Sequence, residues 1–264
     1  MLIGVVGTGR MGLPISQHLA AVHEVVTSDP AVAGVRDLGH VDVLVTVLPG
    51  PAAVVEVEPL LASLRPQATW LDLTSNDPRV AIRLSQSIAA QSVAAPMSGG
   101  PQAARSAELH FTVGGDDVPP GTLDLLGTQT RVGTVFDAHL TKLLSNLLWF
   151  GQAVAAAEAL ALGRALGSSA PVLGRALAAG AGGGRFLDDA LEALLADQDI
   201  LDFAVDRVVE QLSILQELAV ESGSPFEVSA AVVQRYRDAL DSGGGELAAA
   251  LRILASPRPS SPAE

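Results

Sequence analysis

The side chain in this sequence best suited to moving a proton is Lys142. Of the 16 lysines and arginines, 15 are arginine, so Lys142 is the one lysine in the chain. Arginine stays protonated at any working pH, whereas a lysine amine is tuned by burial and gives or takes a proton. Asn146 follows four residues later in HLTKLLSNLLWFG, residues 139–151. On a helix that spacing puts amine and amide on one face, one turn apart. Together they suit holding a hydroxyl or carbonyl oxygen while its proton moves. A second chemistry is written near the start. Gly7, Gly9 and Gly12 in GTGRMG have the G-x-G-x-x-G spacing, between a strand-like LIGVV and a helix-like MGLPISQHLAA. The first glycine suits a tight turn, the second a close approach to a pyrophosphate, and the third close packing of helix on strand. Asp29 ends the next apolar run, Glu24 to Ser28, where an acid meets the adenine ribose hydroxyls. Its carboxylate repels a 2′-phosphate and favours NAD over NADP. Pro30 follows, and the nearest arginine is Arg36. In PMSGGP, the Ser98 hydroxyl with the open amides of Gly99 and Gly100 makes a cradle for a carboxylate.

The elements that must position these residues alternate. Apolar runs at 2–6, 24–28, 41–48, 68–73, 92–95 and 110–113, with a weak one at 130–132, are separated by helical stretches. One helix of about a dozen residues ends at Ser63, and another runs from Pro78 to Ala90 with Asn76 or Asp77 as its cap. This predicts an α/β domain with a mainly parallel sheet over residues 1–136. Val41 comes only 12 residues after Asp29, too soon for a further strand and two helices between them, so the third strand of a full Rossmann sheet is expected to be missing. From Asp137, taken as an N-cap, the pattern is helical only. Helices are expected to about Gly167, then over 170–179, 186–196, 199–221, 225–241 and 246–254. An all-α domain over 137–255 and a disordered tail over 256–264 follow. The apolar faces of that domain suggest a homodimer or higher homo-oligomer.

The bulk numbers narrow the function. Net charge is −13, which offers no electrostatic footprint for nucleic acid or an anionic membrane. The absence of cysteine removes thiol catalysis and thiolate metal sites, and is compatible with the cytoplasm. The five histidines, His18, His23, His40, His110 and His139, show no pair at metal-ligand spacing, so no metal is expected. The N-terminus enters a strand directly, without a signal-peptide pattern.

Four motifs fall in one order: GTGRMGLP, DLTSNDP, APMSGGPQAARSAEL and TKLLSN. Together they resemble the β-hydroxyacid dehydrogenase family, which includes 3-hydroxyisobutyrate dehydrogenases and is related to 6-phosphogluconate dehydrogenase. The resemblance implies an N-terminal Rossmann domain, a C-terminal helical domain and an active site between them. It implies that Gly7, Thr8, Gly9, Arg10, Met11 and Gly12 lie against the pyrophosphate, with Asp29 on the ribose. Leu48 and Pro49 would lie along the cofactor and Ser75 near the nicotinamide. Ser98, Gly99 and Gly100 would receive the substrate carboxylate, Lys142 would be the acid/base, and Asn146 would hold the substrate oxygen. Departures are Phe136 and Asp137 where the family has small residues, Ala107 for a glycine, and Glu210 and Gln211 for a Lys-Asp pair.

The expected activity is therefore hydride transfer between NAD (NADP less favoured) and a small β-hydroxy acid or semialdehyde, in a cytoplasmic protein whose partner is a small molecule. Two alternatives stay open at this point: a reductase of imines or bulkier carbonyls, and a module that binds NAD without turnover.

Overall fold

The computed structural model describes residues 1–29, 37–196, 198 and 203–255. It divides into two compact units, Met1–Leu143 and Leu144–Glu264. The first is a Rossmann-type α/β unit. Its strands are β1 Leu2–Val6, β2 Glu24–Ser28, β3 Val43–Thr46, β4 Thr69–Asp72, β5 Gln91–Ala94, β6 Met97–Ser98, β7 Leu109–Gly115 and β8 Gly127–Gly133. They form one sheet in the order β2-β1-β3-β4-β5-β7-β6, with β8 beside β7. The pairs from β2 to β5 are parallel, and so is β7 with β8, whereas β7 runs antiparallel to β5 and β6.

Period-2 alternation buries both faces of this sheet. Ile3, Val5, Val43, Val45 and Leu71 pack with Ile15 and Leu19 of α1 (Gly12–Ala20). Val6, Leu44 and Trp70 pack on the other side with Val54 of α2 (Pro51–Glu56), Leu60 and Leu61 of α3 (Glu58–Ala62) and Leu84 of α4 (Pro78–Ser87). The expected dozen-residue helix is thus two short ones. Pro59 lacks the N–H that would continue the first, and it stands in the first turn of the second. Asp77 caps α4 by accepting from the Arg79 amide at 2.8 Å. The PMSGGP segment is more than a turn. Met97–Ser98 pair with β7, and α5 follows at once over Gly100–Ser106. Its glycines and proline masked so short a helix. Among the described residues no strand lies between Asp29 and Val41, and β2 ends the sheet order. Most of that segment, with Pro30 and Arg36, lies outside the described residues.

Helix α6 spans Val135–Ala165. Asp137 is not its N-cap. Thr134 is, and the two residues bond reciprocally: the Asp137 carboxylate accepts from Thr134 N and Oγ1 (2.8 and 2.7 Å), while Thr134 Oγ1 accepts from the Asp137 amide (3.2 Å). These donors hold the Asp137 carboxyl below the usual carboxylate range. By length and composition alone α6 could cross a membrane. Its Phe150, Ala153, Val154, Ala157 and Leu160 instead lie in the protein core of the second unit.

That unit is all-helical: α7 Ala170–Ala179, α8 Arg185–Ala196, α9 Val205–Ser222, α10 Glu227–Asp241 and α11 Leu247–Ala255. Phe150 meets Phe203 and Tyr236 edge-on, and the Tyr236 hydroxyl donates to the Phe150 carbonyl at 3.1 Å. Helix α9 is described from Val205. Ala204, its N-cap, is extended and bridges Glu246. The start expected at 199 and the tail at 256–264 lie outside the described residues.

Candidate active site

Because β2, β1, β3, β4 and β5 are adjacent and parallel, the loops that follow them leave the same edge of the sheet. Those loops carry Asp29, the glycine loop, Leu48 with Pro49, and Ser75, while Ser98 follows β5. At about 4.8 Å per strand, this row offers a dinucleotide a continuous rim at the carboxyl ends of the strands.

The glycines divide the work as their spacing implies. Gly7 has φ +95°, and a Cβ there would stand 2.2 Å from the Val47 carbonyl oxygen. At Gly12 a Cβ would meet the Gly7 carbonyl oxygen at 1.9 Å. Gly9 has open space where its Cβ would be. Two glycines are therefore demanded by the protein's own packing, and the third leaves room for a group approaching from outside. A pyrophosphate fits that room. Arg10 is exposed and Met11 half-buried on this loop. Thr8 does what spacing alone did not reveal: its amide and hydroxyl both donate to Asp29 Oδ2, at 2.9 and 2.8 Å. The glycine loop thereby holds the acid at the end of β2.

Asp72, at the end of β4, is a buried hub that its local sequence does not announce. Its carboxylate accepts from Thr46 Oγ1 (2.8 Å), Thr74 N (3.0 Å) and Asn76 Nδ2 (3.0 Å). Thr74 Oγ1 in turn accepts from the Leu48 amide at 3.1 Å. The loops presenting Leu48 and Ser75 are so tied to one carboxylate. An acid within DLTSND was the available signal, but nothing local marks it as buried. His139 Nε2 lies 3.5 Å from Asp72 Oδ2, too far for a hydrogen bond, and the ring is fully buried. Burial lowers its pKa, outweighing the opposite pull of Asp72 and Asp77, so His139 is neutral and the contact is not an ion pair.

One turn beyond His139, Lys142 Nζ donates to Ser98 Oγ at 2.9 Å. Burial alone depresses this amine to about 8, within reach of neutral pH. Ser98 is half-buried. It is followed by Gly99 and Gly100, both with positive φ (+126° and +69°), and a Cβ at Gly100 would meet nothing. The structure therefore joins Lys142 to Ser98 across 44 residues. Asn146 belongs to the second unit, and there Nδ2 donates to Gln211 Oε1 at 2.6 Å. Glu210 accepts from Arg207 Nη1 at 3.0 Å on the same helix.

Comparison with known proteins identifies the family. Residues 25–119 match the family described as the NAD binding domain of 6-phosphogluconate dehydrogenase. Residues 137–254 match that described as NAD-binding of NADP-dependent 3-hydroxyisobutyrate dehydrogenase. A probable 3-hydroxyisobutyrate dehydrogenase of Mycobacterium tuberculosis is 31% identical over 196 residues, covering 65% of this chain and 67% of the relative. The chain belongs to the β-hydroxyacid dehydrogenase family. This dehydrogenase is also 26% identical to the NAD-dependent L-serine dehydrogenase of Pseudomonas aeruginosa, over 92% of the chain and 94% of that protein. A solved Mycobacterium tuberculosis 3-hydroxyisobutyrate dehydrogenase with L-serine shares its fold, at 24% identity and TM-score 0.84, covering 97% of this chain and 99% of the other. The β-hydroxyacid dehydrogenase described here is an oxidoreductase that uses NAD and acts on a small molecule.

Proposed function

We propose that the enzyme interconverts a small β-hydroxy acid and its semialdehyde, with Lys142 as the general acid/base. NAD, when bound, supplies the hydride acceptor, and its reduced form the donor. The chain's own part is the proton. In oxidation the neutral Lys142 amine takes the hydroxyl proton as hydride leaves the carbinol carbon. In reduction the ammonium returns it. Gly7 to Gly12, with Asp29, Leu48, Pro49 and Ser75, hold the cofactor. Ser98 and the amides around Gly99 and Gly100 take the substrate carboxylate, and Asn146 holds the reacting oxygen. The observation that carries this reading is the chain's one lysine, buried, lowered to about 8 and bonded to Ser98. The substrate class is supported by the relatives, since 3-hydroxyisobutyrate and L-serine both bear a hydroxyl on the carbon β to the carboxylate.

The same reading takes the protein as cytoplasmic and homo-oligomeric. Leu148, Leu162, Leu166 and Val172 are exposed on α6, in the turn after it and on α7, which suits self-association. Light scattering on the purified protein tests the oligomer. A panel of β-hydroxy acids, semialdehydes and cyclic imines, each with NAD and NADP, tests the activity. Turnover of hydroxy acids that Lys142→Arg abolishes is expected. Turnover of imines alone, or of nothing while NAD still binds, overturns the assignment.

A further inference from the structure

Gln211 is a polar side chain in a place that packing alone would give to leucine. It is 5% exposed on α9, among Val208, Leu212 and Leu215, which are also buried. A buried amide is costly unless bonded. Here its Oε1 accepts from Asn146 Nδ2 at 2.6 Å, 65 residues away in the chain.

An asparagine amide turns broadly about its last torsion, and its two ends have opposite hydrogen-bonding character. Left alone, Asn146 would offer a substrate oxygen an N–H in only part of its orientations. With one N–H spent on Gln211, the plane of the amide is set, and the second N–H and Oδ1 point away from that bond. We propose that Gln211 is a positioning residue that holds the Asn146 amide ready for the substrate oxygen, and that its neutrality is part of the role. This rests on the reading of Lys142 and Asn146 given above. A carboxylate at 211 would accept the same hydrogen bond. It would also place a negative charge beside the amide one helical turn from Lys142, favouring the protonated amine. Glutamine orients the amide without that charge.

Two variants of the full chain separate the effects. Gln211→Leu removes the acceptor at similar volume. Gln211→Glu keeps an acceptor and adds charge. With a hydroxy acid and saturating NAD, Gln211→Leu is expected to lower kcat on the order of ten- to a hundredfold, with the KM for NAD within about twofold. Gln211→Glu is expected to fold, to recover turnover toward the parent value as pH rises, and to shift upward the pH midpoint at which an amine-selective reagent labels Lys142. The Asn146 side-chain amide resonances, assigned by their loss in Asn146→Asp, should move in Gln211→Leu. Parent kcat in Gln211→Leu with unmoved Asn146 resonances overturns the proposal. So does a Gln211→Glu protein in which neither those resonances nor the Lys142 midpoint move. If the parent turns over no hydroxy acid, the functional reading fails, while the resonances and the labelling midpoint still decide the role of Gln211.

Discussion

Thr8 meets Asp29 twice, with its amide at 2.9 Å and its hydroxyl at 2.8 Å from the same carboxylate oxygen. The acid at the end of β2 is thus fixed by the glycine loop. A fixed carboxylate repels a 2′-phosphate more effectively than one free to swing away. NAD should therefore bind at least about tenfold tighter than NADP, roughly 1.4 kcal/mol. Thr8→Val keeps the backbone donor and loses the hydroxyl, and should narrow that ratio. Titration of both cofactors against parent and variant checks it, and equal or tighter NADP binding by the parent would refute it.

On the proposed role of Lys142, its amine sets the pH dependence. Its pKa is lowered to about 8 by burial, so the neutral amine that oxidation needs accumulates as pH rises through that value. Oxidation should climb to a plateau above about pH 8, and reduction, which needs the ammonium, should decline there. Lys142→Arg keeps the charge but releases no proton, and should cost turnover on the order of 10²–10⁴-fold with NAD binding within a few-fold. Initial rates in both directions across pH 6–10 (roughly the span from two units below to two above) give the answer.

Ser98→Ala should act differently from the lysine variant. It removes the hydroxyl on which Lys142 Nζ rests and, on the proposed reading, one donor to the substrate carboxylate. The KM for the hydroxy acid should rise and kcat should fall, each by about tenfold, in line with the loss of one to two charge-assisted hydrogen bonds. An unchanged KM would remove Ser98 from the substrate cradle.

His139 links folding to acid. Its folded pKa is lowered by burial, so the unfolded chain binds the proton more readily. The sign follows: its contribution to stability is intact above the unfolded value of about 6.5 and is lost as pH falls below it, by up to about 1.4 kcal/mol per pH unit until the folded pKa is reached. His139→Gln cannot titrate and should flatten this part of the curve. Urea midpoints between about pH 5 and 7.5 for the two proteins, compared as a difference, test it.

Ala107 is the one non-glycine residue with positive φ (+56°) among the described residues, at the C-terminal cap of α5. Glycine takes this left-handed position without strain, at the cost of a looser unfolded chain. Ala107→Gly should gain roughly 0.5–1 kcal/mol, since relief of about 1–2 kcal/mol exceeds the entropic loss. A denaturant midpoint that rises with an unchanged slope confirms it.

What the sequence determined by itself is whatever nearest neighbours along the chain decide. The apolar runs LIGVV and VDVLVTVL read as strands, because a pleated backbone turns successive side chains to opposite faces and a sheet covered on both sides buries both. The glycine spacing reads as a loop that approaches a pyrophosphate, and three of its consequences reappear as the tight contacts at Gly7 and Gly12 and the open space at Gly9. The solitary Lys142 is visible by counting. What the tertiary structure decided is everything that depends on where distant segments meet. Ser98 and Lys142 join across 44 residues, Thr8 and Asp29 across 21, and Asn146 and Gln211 across 65. Neither the acid in DLTSND nor the histidine in AHLTK carries a local sign that one becomes a hub for two loops and the other a buried neutral ring. Burial is a property of the packed chain, and it is burial that removes the water which would otherwise hold Lys142 and His139 near their ordinary pKa values.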